Sequence, residues 1–324
     1  MVQTVLIYSM GEVIGDGLIK LPFIAGLRAA FPEARISWCA AKGETVYAGP
    51  LKAVVAGYVD EVILQGRNGA RPMDSLPWNR PFGGRAFDLV IDTQENLRRS
   101  GVARRAASGR FVSAARHARD RDWPAAVTDR LARLLALATD GQGAPMPLAL
   151  NHPDALNAAK ALLPTGPTYV GLAPGAGGQD KRWPLEHYLE LARRIVAKGW
   201  TPVFFFGPDE AEDAAIATRE IPHALQPERD RTDGLTAVKG PLLVIVLAGR
   251  LAAGVANDAG PGHMLAAGGA PLLSLQQDRR KSVKFRPAAR RLEMLVAEDY
   301  GNGMGAVPVD AAWTALERLV TGAA

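Results

Sequence analysis

Three glycine-bearing segments hold the side chains best suited to chemistry. The first is Pro174-Gly175-Ala176-Gly177-Gly178-Gln179-Asp180-Lys181-Arg182-Trp183-Pro184, which leaves an apolar run and enters a helical pattern. Glycine lets backbone N–H groups approach a ligand, a helix start carries partial positive charge, and Lys181 adds a full one; that combination suits phosphate. No Gly-Lys-Ser/Thr ends the loop, so it is not a Walker A loop, and it lacks the Gly-x-Gly-x-x-Gly nucleotide fingerprint. The second is Asn257-Asp258-Ala259-Gly260-Pro261-Gly262-His263, again between an apolar run and a helix. An aspartate ending a buried strand must find partners, and the small residues after it leave backbone donors uncovered, so a diphosphate fits between the two helix starts. The third is the Ser9-to-Leu18 stretch, where Asp16 stands between Gly15 and Gly17. A carboxylate there can act as a general base, although its ordinary pKa of ~3.9 demands partial desolvation and a hydroxyl that turns acidic in the transition state. Plainer readings stand beside each: a simple strand-to-helix turn, a capping Asp258 with a packed His263, and an N-cap Asp16.

These loops need a scaffold, and the apolar patterning describes one. Short strands are expected at residues 4–8, 34–40, 61–64 and 87–92, with helices at 17–30, ended by Phe31-Pro32, and at 122–138, where Val127, Leu131, Leu134, Leu135 and Ala138 form one stripe. Gly/Pro punctuation over 140–168 marks a boundary. The alternation then restarts, with strands at 168–173, 202–206, 251–257 and 271–275 and helices at 184–198, 209–220 and 262–268. Pro184 suits the first helical position. Residues 242–248 are ambiguous, since propensity favours a strand and position favours a helix. A tail helix over 310–320 carries Trp313, Leu316 and Val320 on one face. Unbroken apolar strands alternating with helices imply parallel sheets covered on both faces, hence an α/β fold in two Rossmann-like halves. Ligands in such sheets bind at the carboxyl ends of the strands.

Composition narrows the class. The 324 residues include 38 Lys+Arg against 33 Asp+Glu, and the excess is concentrated. Residues 98–121 hold eight arginines against the single Asp120, and a second block runs from Arg279 to Arg291 without an acid. Both suggest anionic ligands. One cysteine and five scattered histidines argue against structural zinc, so no metal is expected. No signal-like head and no long apolar run is present, which predicts a cytoplasmic chain with at most peripheral membrane contact. The basic blocks lack interleaved aromatics beyond Phe111 and Phe285, which disfavours nucleic acid. A nucleotide-dependent oxidoreductase remains a rival on fold alone, weakened by the missing fingerprint.

Taken in order, the motifs resemble those of glycosyltransferase family 9, the heptosyltransferases of lipopolysaccharide core assembly. They are Gly15-Asp16 with Leu21-Pro22 and Phe31-Pro32-Glu33-Ala34; Phe87-Asp88-Leu89-Val90-Ile91-Asp92-Thr93-Gln94; Pro174-Gly175-Ala176 leading to Lys181-Arg182-Trp183-Pro184; and Asp258 to His263. The resemblance implies a GT-B fold, two Rossmann-like domains facing each other across a cleft. Residues 1–150 would bind the acceptor and 166–300 the nucleotide-sugar, with a C-terminal helix over 310–322 packing back on the first domain. It implies inverting, metal-independent transfer of a heptose or related sugar from an ADP-sugar to an anionic glycolipid acceptor of the lipopolysaccharide inner core. The enzyme would work peripherally on the cytoplasmic face of the inner membrane. Asp16 becomes the catalytic base and Lys181 the stabiliser of the leaving group. Donor contacts fall on Gly175, Ala176, Gly177, Lys181, Asp258, Ala259, Gly260 and His263, with Glu210 or Glu212 at the ribose. Acceptor contacts fall on Gly15, Gln94, Arg98, Arg99 and Arg119. Ala259 stands where the family usually has Ser or Thr, which leaves open a different donor sugar or an inactive relative.

Overall fold

The computed structural model describes residues 2–64, 68–231, 234 and 237–322. The chain divides into two compact units, Met1–Ala149 and Leu150–Ala324. Among the described residues each unit holds one five-stranded sheet in which every paired strand is parallel.

The first unit runs β1 (Thr4–Ser9), α1 (Ile14–Ile19), α2 (Leu21–Ala30), β2 (Arg35–Ala40), β3 (Glu61–Ile63), β4 (Phe87–Asp92), α3 (Leu97–Arg104), β5 (Ala107–Ser113), α4 (Ala114–His117) and α5 (Val127–Ala138). Its sheet order is β3-β2-β1-β4-β5. The middle strand β1 is buried from Val5 to Ser9, as an unbroken apolar run between two covered faces must be. The single helix expected over 17–30 is instead two, joined at Lys20, because Pro22 brings no N–H to the ladder and suits only the first turn of a new helix. The helix expected from 122 starts five residues later, since the residue before Pro124 is pushed away from helical geometry. An edge strand, β5, lies inside the arginine-rich stretch, where polar residues masked it; only its last two residues are buried.

The second unit runs α6 (Pro153–Leu162), β6 (Tyr169–Ala173), α7 (Leu185–Ala197), β7 (Thr201–Phe204), α8 (Ala211–Glu220), α9 (Gly240–Ala248), β8 (Ala253–Asn257), α10 (Gly260–Ala267), β9 (Leu272–Gln276), α11 (Arg279–Lys284), β10 (Leu292–Val296) and α12 (Val309–Thr321). The order is β10-β9-β8-β6-β7. The ambiguous stretch is helix α9, buried from Leu242 to Ala248; a helix apolar all round has no periodicity to read. Pro184 is the N-cap of α7, one place before the expected first helical position.

Within the second unit, α12 buries Ala312, Ala315, Leu316 and Leu319 in that unit's core with Leu191, Phe204 and Leu273. Trp183, 1% exposed, donates its indole N–H to the Val307 carbonyl at 3.0 Å just before that helix. The apolar stripe of α12 is covered by its own unit's sheet and by α7.

In the first unit, α2 packs so closely on the segment after α5 that a Cβ at Gly26 would run into the Ala144 carbonyl oxygen and come within 2.8 Å of Leu135 Cδ2. Gly26→Ala therefore lowers unfolding free energy by about 1–3 kcal/mol in urea denaturation, because overpacking outweighs the better helix propensity.

Candidate functional site

In the second unit the two small-residue loops are joined by one buried side chain. Asn257 ends β8, and its Oδ1 accepts from the Trp183 backbone N–H at 3.1 Å while its Nδ2 donates to the Pro174 carbonyl at 2.6 Å. The loop after β6 is thus gripped at both ends by the residue that opens the loop after β8. Lys181 Nζ consequently lies 3.8 Å from Asp258 Oδ2. Burial pushes the Asp258 carboxyl above the usual carboxylate range, against the opposing pull of Lys181 and Lys281. Ala259 is the N-cap of α10 and offers no side-chain cap, so the first amides of that helix have no capping oxygen. Asp258 does not cap it. His263, in the first turn, is 5% exposed and its Nδ1 has no partner among the described residues.

Gly175 and Ala176 are buried beside this junction and Gly177 is exposed. A Cβ on Gly175 would collide with the Glu210 carboxylate, so only glycine lets the two meet. Glu210 is itself buried, accepts from Gly207 N–H at 2.7 Å and lies 3.6 Å from Arg182 Nη2. Arg182 also donates to the Ala176 carbonyl. Of the two glutamates singled out, Glu210 adjoins the loop and Glu212 faces solvent on α8.

In the first unit Asp16 sits in the first turn of α1, exposed, with no hydrogen-bond or ion-pair partner among the described residues. It is no cap either, since the N-cap is Val13. Its helix is fixed from below. Tyr47, fully buried, donates to the Gly17 carbonyl at 2.7 Å. Glu12, whose side chain is wholly buried, accepts from Lys20 Nζ at 2.7 Å, from Trp38 Nε1 at 3.2 Å, and from the hydroxyls of Ser9 and Thr45. Lys20, four residues after Asp16, is thereby turned inward towards Glu12. Sequence reading missed Glu12 because only the fold brings its partners from β1, β2 and the loop before Tyr47 together.

The arginine cluster divides by role. Arg98 is spent on the Arg71 carbonyl and Ser75, and Arg105 on the carbonyls of Asp74, Leu76 and Asn79. These arginines fasten the 71–79 segment. Arg110 pairs with Asp140. Arg99 is half-buried with its Nε unpartnered among the described residues, and Arg119 is exposed. Gly15 is half-buried on α1, and Gln94 follows β4, its N–H bonded to Asp92. The fastened segment walls a cavity of about 420 Å³ that includes Lys42, Arg71, Met73, Asp74 and Trp78. Asp74 is occupied by the Gly69 and Arg71 N–H groups, whereas Lys42 and Arg71 make no ion pair among the described residues.

Two parallel α/β units with small-residue loops at the carboxyl edges, together with the solved structures they resemble, give the GT-B fold. The chain belongs to glycosyltransferase family 9 (heptosyltransferase), whose family model matches residues 78–304. A stretch of 108 residues is 35% identical to lipopolysaccharide heptosyltransferase 2 of Escherichia coli, and one of the same length is 36% identical to lipooligosaccharide heptosyltransferase 2 of Haemophilus influenzae. Each match spans 33% of this chain and 30% of the relative. The fold matches a family 9 glycosyl transferase from Veillonella parvula with a TM-score of 0.71 at 18% identity, covering 99% of this chain and 98% of that one. It also matches the E. coli heptosyltransferase WaaC with ADP-2-deoxy-2-fluoro heptose, with a TM-score of 0.65 at 18% identity over 98% and 99% of the two chains.

Burial pushes the His263 imidazole down to about 4, below the ordinary ~6.5. The unfolded chain takes up that proton near pH 6.5 and the folded chain refuses it until about 4. The contribution of a neutral His263 is therefore complete above pH 6.5 and lost as pH falls towards 4. In urea denaturation across this window His263→Gln loses less stability than the wild type, by on the order of 2–3 kcal/mol. Asp92, pushed up to about 6 by burial, acts with the opposite sign in both proteins and drops out of the comparison.

Proposed function

We propose that this chain is an inverting, metal-independent glycosyltransferase that moves a heptose or closely related sugar from an ADP-sugar to an anionic acceptor of the lipopolysaccharide inner core. The observation that carries the reading is the joining of the two loops through Asn257, with Lys181 3.8 Å from Asp258 at the uncapped start of α10. A diphosphate leaving group gains charge as its bond to the sugar breaks, and preorganised amides and a lysine stabilise charge that develops there. In this reading these groups take the place of a divalent metal. Family membership supports heptose transfer, and the ADP-linked analogue named with the WaaC relative supports an adenine nucleotide. Glu210, lodged against Gly175, is the candidate ribose contact.

On the acceptor side, Asp16 takes the hydroxyl proton as the acceptor oxygen bonds to the anomeric carbon and the bond to the diphosphate breaks. One displacement inverts the anomeric centre. The free cations Lys42 and Arg71 suit the acid group of the acceptor sugar, with Arg99 and Arg119 as further anion contacts and Gly15 and Gln94 beside the hydroxyl. The acceptor's lipid end implies peripheral contact with the cytoplasmic face of the inner membrane. Among the described residues no helix is long and apolar enough to cross one.

Asp16→Asn abolishes ADP release from ADP-heptose in the presence of acceptor yet leaves ADP binding intact; retained transfer would reject the base assignment. Lys181→Ala lowers kcat by about 10²–10³ with an unchanged melting temperature, and wild-type turnover would reject the phosphate role.

A further inference from the structure

The second basic block has no part in the function proposed so far. Of its seven cations, Arg279 pairs with Asp299, Arg291 donates to the Arg318 carbonyl, and Lys284 lies 4.9 Å from the Phe285 ring centroid. Lys281 is exposed and makes no ion pair or side-chain hydrogen bond among the described residues. Its place follows from the sheet. β8 and β9 run side by side with Asn257 opposite Leu275, and the Asp258 N–H donates to the Leu275 carbonyl at 2.9 Å. The chain after β9 therefore leaves the same edge beside Asp258. Asp278 caps α11 by accepting the Lys281 N–H at 2.7 Å, which sets Lys281 in the first turn of the short helix that follows β9.

We propose that Lys281 is a second cation, with Lys181, for the diphosphate of the donor at Asp258. The strand register that brings the chain after β9 to Asp258 carries this, and the state of the site agrees with it. Both lysines act on the Asp258 carboxyl, lowering it against the larger effect of burial, while Asp278 raises it slightly. The site is also left incomplete by the protein itself, with no capping side chain on α10 and a buried His263 whose Nδ1 lacks a partner among the described residues. One lysine beside Asp258 shares its charge with that carboxyl; a diphosphate carrying two or more negative charges calls for a second cation. Lys281 thus extends the donor site from the two glycine loops to the strand–helix junction after β9. The inference rests on the donor site proposed above and adds to it a residue from a third loop.

The test is calorimetric titration of the full chain with ADP at low and moderate salt. Lys281→Met weakens ADP binding about tenfold at low salt and flattens its salt dependence, whereas Lys281→Arg retains most of the affinity. Arg280→Met, which removes a neighbouring exposed cation, changes affinity less than twofold. Unchanged affinity for Lys281→Met, or an equal loss for Arg280→Met, overturns the proposal, the latter showing only the general field of the basic block. Should the wild-type chain and Lys181→Ala fail alike to bind ADP, the donor reading itself falls. Loss with Lys181→Ala but not with Lys281→Met removes this inference alone.

Discussion

Parallel sheets oblige every strand to hand its chain to a crossing helix at the same edge, and in the second unit one buried amide turns that obligation into a site. Asn257 cannot remain in the interior unpaired, because an unsatisfied buried amide costs on the order of 1–3 kcal/mol. It meets the demand with a backbone N–H and a carbonyl from opposite ends of the loop after β6. The loop is therefore held in register with the start of α10. The proximity of Lys181 to Asp258, the contact of Glu210 with Gly175 and the anchoring of Trp183 all depend on that grip.

The first unit solves a related problem with charge. Glu12 is a carboxylate without solvent, tolerable only because a lysine, an indole and two hydroxyls surround it. Breaking such a network leaves an uncompensated buried charge, so the segment carrying Asp16 is held stiffly. The same network draws Lys20 inward. A lysine four residues after an aspartate on a helix is otherwise well placed to pair with it, and its absence leaves the Asp16 carboxylate unneutralised.

The arginines show what composition leaves undecided. Eight of them in one short stretch read as an anion-binding surface, yet Arg98 and Arg105 act as struts, each using its forked donors to collect backbone carbonyls of the 71–79 segment. Lys42 and Arg71, which line the cavity and make no ion pair among the described residues, are distinguished by no local pattern.

What the sequence determined by itself is the part governed by local chemistry: alternating apolar runs and helical stripes set two α/β units, and glycine, small residues and a lysine before helix starts marked Gly175 to Lys181 and Asp258 to His263. Asp16 was marked as a candidate on the same local grounds, a carboxylate between Gly15 and Gly17 after the first strand. Only tertiary structure decided which side chains hold those loops together, because Asn257 and Arg105 find all their partners, and Glu12 finds Trp38 and Thr45, dozens of residues away. It likewise decided that α12 joins the second unit, since an amphipathic stripe records that a face must be covered and not which surface covers it, and that residues 242–248 form a helix, since full burial erases the period that distinguishes helix from strand.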